Sequence, residues 1–255
     1  MSELEKKRYY LFDSVRGICV LGMIAYHTLF DVMMYFGNSS AASLVPAFDA
    51  VRDFGAAVFV ILAGINFNFE KHFVRRGLLL NGAGIVITVI TFFVMPDTPV
   101  IFGILTFMGC AGLLAGALRK PLMKLHPVLG LAVSFLLFAL TFNIYYGFVG
   151  FFTVPVFEIP LSLYRNYLTA FFGFPFNGFA SSDYFSFIPW FFMYLSGFFF
   201  WRAFGNRLEK VRLLYLRIPF VEKTGKYSFY VYLAHQPIVY GVVTLIYLLT
   251  VHKTA

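Results

Sequence analysis

Residues 13–31, DSVRGICVLGMIAYHTLFD, decide how the rest of the chain is interpreted. The stretch between Arg16 and His27 is almost entirely apolar, and its length is typical of a helix that crosses a bilayer. Ionisable groups inside such a helix are costly, so they usually face a cavity or a partner. Arg16 and His27 are 11 residues apart, which is about three helical turns, and they therefore lie on one face.

The neighbouring acids extend this polar face. His27 and Asp31 are spaced i,i+4, a spacing at which Asp31 can orient the imidazole and raise its basicity. Asp13 and Arg16 are spaced i,i+3, which predicts an ion pair at the inner membrane edge. Each feature has a simpler interpretation. In that interpretation His27 hydrogen-bonds to a second helix, Asp31 lies at the outer interface, and Asp13 with Arg16 only anchors the topology.

The composition places the chain in the membrane. Hydrophobic residues make up 60% of the 255, charged residues only 13%, and the mean hydropathy is +0.79. A soluble domain carries about 25% charged residues. The net charge of +8 comes from short basic clusters between apolar runs, which indicates membrane topology and argues against nucleic-acid binding.

Few other chemistries fit these residues. Cys19 and Cys110 lie in apolar runs, which argues against a disulfide framework, and the five histidines are too scattered to predict a metal site. Motifs for zinc proteases, P-loop nucleotide binding and serine hydrolases are missing from the sequence. We therefore expect no metal and no permanently bound cofactor.

Apolar windows predict a bundle of about seven transmembrane helices in an all-α fold. With the N-terminus in the cytoplasm, 17 of the 20 Lys and Arg residues fall on the inner side, which supports this orientation. Only Arg52, Arg165 and Lys253 then lie outside. The predicted helices cover residues 14–36, 54–70, 78–95, 100–118, 128–146, 184–203 and 227–250.

One outer connection is unusual. Residues 147–183 are apolar, aromatic and interrupted by Pro and Gly, which favours a short interfacial helix or a re-entrant element within 161–174. An eighth crossing there would reverse the final orientation and spoil the charge distribution. We interpret residues 1–255 as a single transmembrane domain.

Further polar residues are candidates for a site. His235 and Gln236 in the last helix approach the middle of the membrane, and Pro237 frees a backbone carbonyl one turn earlier. The other candidates lie near the inner ends of the helices and at the outer start of the sixth helix. Arg75 and Arg76 also fit the positive-inside rule, and Trp190 also fits an aromatic belt. These others are Asn66, Arg75, Arg76, Asp183 and Trp190.

Together these stretches resemble a known family of transmembrane acyltransferases. Arg8 and LFDSVRGICVLGMIAYHTLFD are similar to the first-helix signature of acyltransferase type 3, in which an R…DxxRG start leads to a histidine 11 residues after the second arginine. Five stretches, in order, resemble the bacterial family similar to the heparan-alpha-glucosaminide N-acetyltransferase catalytic domain. They are YHTLFD (26–31), FVILAGINFNFEKHFVRRG (59–77), VIFGILTFMG (100–109), DYFSFIPWFFMYLSGFFFW (183–201) and GKYSFYVYLAHQPI (225–238).

The resemblance implies an acyltransferase that takes an acetyl or other acyl group from a cytoplasmic acyl-CoA, as co-substrate, to an acceptor at the outer side. His27 would be the catalytic histidine, oriented by Asp31. The donor would be held on the inner side by Arg8, Asp13, Arg16, Asn66, Arg75 and Arg76. The acceptor or the thioester would contact His235, Gln236, Asp183 and Trp190.

Two other classes stay open from the residues alone. One is a non-enzymatic transporter or lipid-binding protein in which His27 and Asp31 relay protons or bind a polar ligand. The other is a structural subunit whose polar residues only pair helices. The expected partners are the lipid bilayer, acyl-CoA, a sugar or other acceptor and, in a homodimer, a second copy. The expected location is the cytoplasmic membrane of a bacterium.

Overall fold

The computed structural model describes residues 8–36, 45–151 and 153–251, and nearly all of its regular elements are helical. Three 3₁₀ turns cover Phe142–Tyr146, Leu161–Leu163 and Arg212–Tyr215, and two strands are β1 (Phe148–Phe151) and β2 (Val154–Glu158). The α-helices are α1 (Tyr10–Phe36), α2 (Val45–Phe67), α3 (Phe73–Val94), α4 (Ile104–Ala117), α5 (Arg119–Lys124), α6 (Pro127–Thr141), α7 (Tyr167–Phe172), α8 (Phe187–Leu208), α9 (Pro219–Lys226) and α10 (Ser228–Val251).

A helix is present at each of the seven predicted positions, as α1, α2, α3, α4, α6, α8 and α10, although α2 begins at Val45 and not at residue 54. The all-α membrane fold is thereby confirmed. Within the described ranges four segments are long and apolar enough to cross a bilayer, and Ile104–Ala117 is a shorter apolar helix. The four are Tyr10–Met33, Phe73–Val94, Pro127–Tyr146 and Ser228–Thr250. Lys6, Lys7 and Lys253, which entered the charge count, lie outside the described residues.

The fourth helix begins later than predicted, at Ile104 instead of residue 100. The residues before it are held by hydrogen bonds that a helix would not make. The amide of Ile101 donates to Ser181 Oγ at 2.9 Å, and Ser181 Oγ donates to the Ile101 carbonyl at 2.9 Å. The amide of Phe185 donates to the carbonyl of Phe102 at 3.0 Å. These tertiary contacts shorten the helix although its flanking residues are apolar.

The outer connection contains the predicted short helix, α7, and also a hairpin that the sequence did not reveal. Strands β1 and β2 pair antiparallel, with a register shift at Val149/Gly150. Every residue of β2 is exposed, including Val156 at 68% and Phe157 at 61%. Tyr164 donates a hydrogen bond from its hydroxyl to the carbonyl of Ile144, in the 3₁₀ turn that precedes β1. Whether residues 161–174 are interfacial or re-entrant stays a prediction.

The chain divides into two compact units. The first comprises Met1–Phe59 and Asn206–Ala255, and the second comprises Val60–Gly205. The interpretation of residues 1–255 as one functional domain stays a prediction.

In the first unit α1 packs against α9, α10 and the 3₁₀ turn at Arg212–Tyr215. The contact with α9 is made backbone to backbone through glycines. A Cβ atom on Gly17 would lie 2.0 Å from the carbonyl oxygen of Val221, and one on Gly225 would lie 1.7 Å from the carbonyl oxygen of Asp13. No side chain fits in either place, so glycine allows α9 to lie directly against the start of α1.

The second unit has an aromatic core. Phe107, Phe198 and Phe199 are each about 1% exposed, and the ring of Phe187 stacks on that of Phe191 at a centroid distance of 5.2 Å. Helices α3 and α4 pack closely, and Cys110 in α4 donates to Asn81 in α3 at 3.2 Å. Both cysteines are free.

Candidate functional site

Two predicted histidines meet in the first unit. His27 lies on α1 and His235 on α10, and their ring centroids are 5.2 Å apart with an interplanar angle of 50°. The ring of Tyr232 lies 5.3 Å from that of His235. Residues separated by about 200 positions in the chain therefore form one imidazole pair, because α1 and α10 pack side by side.

The protonation of His235 follows from its backbone contact. Its Nδ1 lies 2.5 Å from the carbonyl oxygen of Tyr232. A carbonyl only accepts hydrogen bonds, so Nδ1 is the donor and carries the proton. In the neutral ring the lone pair is then on Nε2. His235 is only 8% exposed, and this contact fixes its ring orientation.

Two further candidates, Asp31 and Gln236, also meet, and they join the same two helices. Asp31 is 2% exposed, and its two carboxylate oxygens lie 3.4 and 3.3 Å from Nε2 of Gln236, which donates to them. The side-chain oxygen of Gln236 is buried and has no hydrogen-bond partner among the described residues. The orientation of His27 by Asp31 stays a prediction, since the donor that the structure gives Asp31 is Gln236.

An ion-pair triad lies near the start of α1. Asp13 accepts from Arg16 Nη1 at 3.0 Å through one oxygen, and from Arg8 Nη2 at 2.7 Å and Nε at 2.8 Å through the other. The predicted Asp13–Arg16 pair is confirmed. The side chains of Asp13 and Arg16 are 13% and 17% exposed, so Asp13 fixes both guanidinium groups within a partly buried site. Donor binding by this triad stays a prediction.

Three other candidates belong to the second unit. Asn66 Nδ2 donates to the carbonyl of Leu62 one turn earlier at 2.7 Å, and Arg76 Nη1 donates to Glu70 at 3.0 Å. Arg75 is exposed and, with Lys71 among others, lines an open groove of about 510 Å³. This places basic side chains around a recess that is open to solvent, and a role in donor binding stays a prediction.

Glu70, in the loop between α2 and α3, bonds to the end of this loop and to the first turn of α3. Its carboxylate accepts from the amide of His72 at 2.8 Å and from Arg76. Burial by itself raises the pKa of Glu70, but these hydrogen bonds outweigh it, so that the pKa lies below the usual value of a glutamate. Arg76 is thus held by an ionised partner at neutral pH.

Asp183 and Trp190, predicted to contact the acceptor, have structural contacts within the second unit. Asp183 Oδ2 accepts from the amide of Ile104 at 3.1 Å and so helps to cap the start of α4. Trp190 is 8% exposed, and its ring lies 5.0 Å from that of Phe185 and 5.8 Å from that of Phe138. Contact of either residue with the acceptor stays a prediction.

Sequence reasoning missed a polar cluster between α1 and α2. Tyr26 donates to Asp49 Oδ1 at 2.9 Å, and Arg52 donates to both Tyr26 and Asp49. Arg52 also pairs with Asp53 at 2.9 Å. The spacing of Asp49 and Arg52, i,i+3 at the start of an apolar helix, was the available signal. Within the described ranges no group of three or more His, Cys, Asp or Glu is arranged to hold a metal ion.

Comparison with known protein families identifies one match. The family model described as "Heparan-alpha-glucosaminide N-acetyltransferase, catalytic" matches residues 8–237. No curated protein and no solved structure matches the chain significantly. The matched range begins at Arg8 and ends at Pro237, and it therefore includes every candidate site residue named above. Because the match covers most of the sequence, the chain belongs to the heparan-alpha-glucosaminide N-acetyltransferase catalytic-domain family, a family of membrane acetyltransferases.

Proposed function

We propose that this protein transfers an acetyl group from cytoplasmic acetyl-CoA to an amine or hydroxyl of a sugar-like acceptor at the outer side of a bacterial cytoplasmic membrane. The observation that carries the proposal is the meeting of His27 and His235, 5.2 Å apart, within the matched region. Two imidazoles in a partly buried site can accept and return a proton near neutral pH.

In this mechanism His27 is the general base. The acceptor nitrogen or oxygen attacks the thioester carbonyl carbon, the bond from that carbon to sulfur breaks, and His27 takes the proton that the acceptor loses. The same proton then passes to the leaving thiolate, so that CoA departs as its thiol. In a variant of this path the acetyl group first forms a bond to His27 and is passed to the acceptor in a second step.

His235 assists through its Nε2. Because Nδ1 donates a hydrogen bond to the carbonyl of Tyr232, Nε2 is the ring nitrogen that can accept one. Its donor would be the acceptor molecule or protonated His27. Gln236 and Asp31 form a second polar contact one residue further along α10. We expect them to hold the imidazole pair in place.

The donor binds through the basic residues. Arg8 and Arg16 are candidates for the phosphate groups of CoA, since guanidinium groups bind phosphate in a bidentate way. Phosphate binding there competes with Asp13, which holds both arginines in the structure. The groove that includes Lys71 and Arg75 is the corresponding candidate in the second unit.

The test is acetyl transfer by purified protein in lipid nanodiscs, with acetyl-CoA and glucosamine as probes. We expect His27→Ala to lower the rate about a hundredfold or more, as loss of a general base does. His126→Ala is the matched control, because His126 is exposed and its side chain makes no capping hydrogen bond at the start of α6. Full activity of correctly inserted His27→Ala would contradict the mechanism, and acceptor binding without release of CoA would favour the transporter class.

A further inference from the structure

The charged side chains of the cluster of Tyr26, Asp49, Arg52 and Asp53 are more exposed than Asp13 in the triad at the start of α1. Asp49 and Asp53 have side chains that are 39% and 43% exposed, and that of Arg52 is 44% exposed. Asp13, in the triad at the start of α1, is only 13% exposed. The α1–α2 cluster therefore lies at the surface of the protein, where charged groups cost less free energy than in the interior.

The carboxylates of this cluster also retain hydrogen-bonding capacity. Tyr26 and Arg52 both donate to Oδ1 of Asp49, and Arg52 donates to Oδ1 of Asp53. In the described part of the chain Oδ2 of each acid accepts from no protein group. Asp13 by contrast accepts through both of its oxygens. Two exposed carboxylate oxygens, oriented by one guanidinium, are thus available to a ligand.

The cluster lies next to the proposed base. Tyr26 precedes His27 in α1, and their ring centroids are 5.6 Å apart at an interplanar angle of 81°. Because the Tyr26 hydroxyl donates a hydrogen bond to Asp49, the start of α2 lies at the same level along α1 as Tyr26 and its neighbour His27. The cluster therefore adjoins, through Tyr26, the residue that would accept the proton of the acceptor.

The charge of the cluster limits what it can bind. Two carboxylates and one guanidinium leave a net charge of −1, and the Tyr26 hydroxyl is neutral. Carboxylate oxygens accept hydrogen bonds from hydroxyl and ammonium groups, and they repel phosphate, sulfate or carboxylate groups. The site thus fits a hydroxyl-rich molecule that is neutral or cationic.

We propose that Tyr26, Asp49, Arg52 and Asp53 form the acceptor subsite, which binds the hydroxyl groups of a neutral or cationic sugar and rejects anionic sugars. Oδ2 of Asp49 and of Asp53 accept hydrogen bonds from the sugar hydroxyls. Arg52 and Tyr26 hold the two acids in position. The acceptor amine or hydroxyl then faces His27. This inference rests on the proposed acetyl transfer and adds to it the residues that select the acceptor.

The test uses Asp49→Asn and Asp53→Asn in full-length protein in nanodiscs. In Asp49→Asn the amide oxygen still accepts from Tyr26, so the hydrogen bond between α1 and α2 is kept while the charge is removed. In both variants it still accepts from Arg52. We expect the KM for glucosamine to rise about tenfold, as for loss of a hydrogen bond to a charged group, while the KM for acetyl-CoA stays unchanged. Wild-type protein should prefer glucosamine to glucosamine 6-phosphate, and both variants should reduce this preference. Asp97→Asn, at an exposed acid in the turn after α3, is the matched control.

Each alternative result has a distinct meaning. An unchanged acceptor KM, or equal use of the two sugars by wild-type protein, would overturn the subsite. A lowered melting temperature with equal changes in both KM values would reduce the cluster to a contact between helices and would also overturn it. Equilibrium binding of glucosamine, measured without acetyl-CoA, separates the two proposals. Binding lost in the variants without any turnover by wild type supports the subsite and contradicts the acetyl transfer.

Discussion

At the scale of single residues, the site depends on which atoms bear protons. The Tyr232 carbonyl holds the proton of His235 on Nδ1, so Nε2 is the atom left for chemistry. Gln236 turns its amide nitrogen toward Asp31, and this orientation buries its own oxygen without a partner in the described residues. A buried polar atom without a partner costs free energy, and such costs are commonly retained at functional sites.

The roles of the two nitrogens of His235 can be separated by substitution. We expect His235→Asn to keep a donor near the Nδ1 position, and therefore the fold, while it removes Nε2. The melting temperature should change by a few degrees at most, and the rate of acetyl transfer should fall about tenfold to a hundredfold. His126→Asn, at an exposed histidine outside both proposed sites, serves as the control. Equal losses of stability and activity in His235→Asn would instead indicate a structural role.

At the scale of elements, the contact of α9 with α1 positions the triad of Arg8, Asp13 and Arg16. The contact needs glycine, because a Cβ on Gly225 would overlap the carbonyl oxygen of Asp13. This carbonyl belongs to the residue whose side chain binds both arginines. Displacement of α9 is therefore expected to disturb the triad as well as the packing.

Gly225→Ala tests this coupling. We expect a loss of about 1–3 kcal/mol in unfolding free energy, the usual cost of overpacking, together with weaker binding of acetyl-CoA. The control is Gly22→Ala in α1, where an added Cβ would meet nothing within 4 Å. Since alanine favours helix over glycine, this control should be neutral or slightly stabilising. Thermal unfolding and acetyl-CoA titration measure the two effects, and identical behaviour of both variants would refute the close contact.

At the scale of the whole molecule, membrane orientation decides which ligands reach which residues. The distribution of Lys and Arg predicts that the start of α1 and the α4–α6 turns face the cytoplasm, while the long connection after α6 faces outward. Cytoplasmic acetyl-CoA would then meet the arginines of α1 directly. The proposed acceptor would enter from the other side.

Cysteine labelling in intact cells tests this orientation. In a background with Cys19 and Cys110 replaced by Ala, we expect Arg165→Cys to react with a membrane-impermeant maleimide and Lys124→Cys to stay unlabelled. Both positions are exposed, so the difference reports the side of the membrane. After permeabilisation both should react. Labelling of Lys124→Cys alone in intact cells would reverse the orientation and exclude cytoplasmic donor binding at Arg8 and Arg16.

The sequence predicted the positions of the helices in the chain better than it predicted which helices contact each other. Apolar windows located a helix at each of the seven predicted positions, and in the described residues four segments are long and apolar enough to cross a bilayer. The Asp13–Arg16 pair was predictable from its i,i+3 spacing within one helix. The contacts of His27 with His235 and of Tyr26 with Asp49 join different helices, and no local pattern determines them. The hairpin after α6 was missed because its strands are short and are interrupted by Gly150 and Pro155.

The exposed hairpin has a consequence for the handling of the protein. Strand β2 presents Val154, Val156 and Phe157 at its surface, and within the described residues it pairs on one side only, with β1. An apolar ribbon with an open edge recruits further strands when water surrounds it. In the membrane we expect lipid headgroups and acyl chains to cover it. Extraction that strips lipid from this surface will therefore promote aggregation, and preparations that retain native lipid will keep the protein monodisperse.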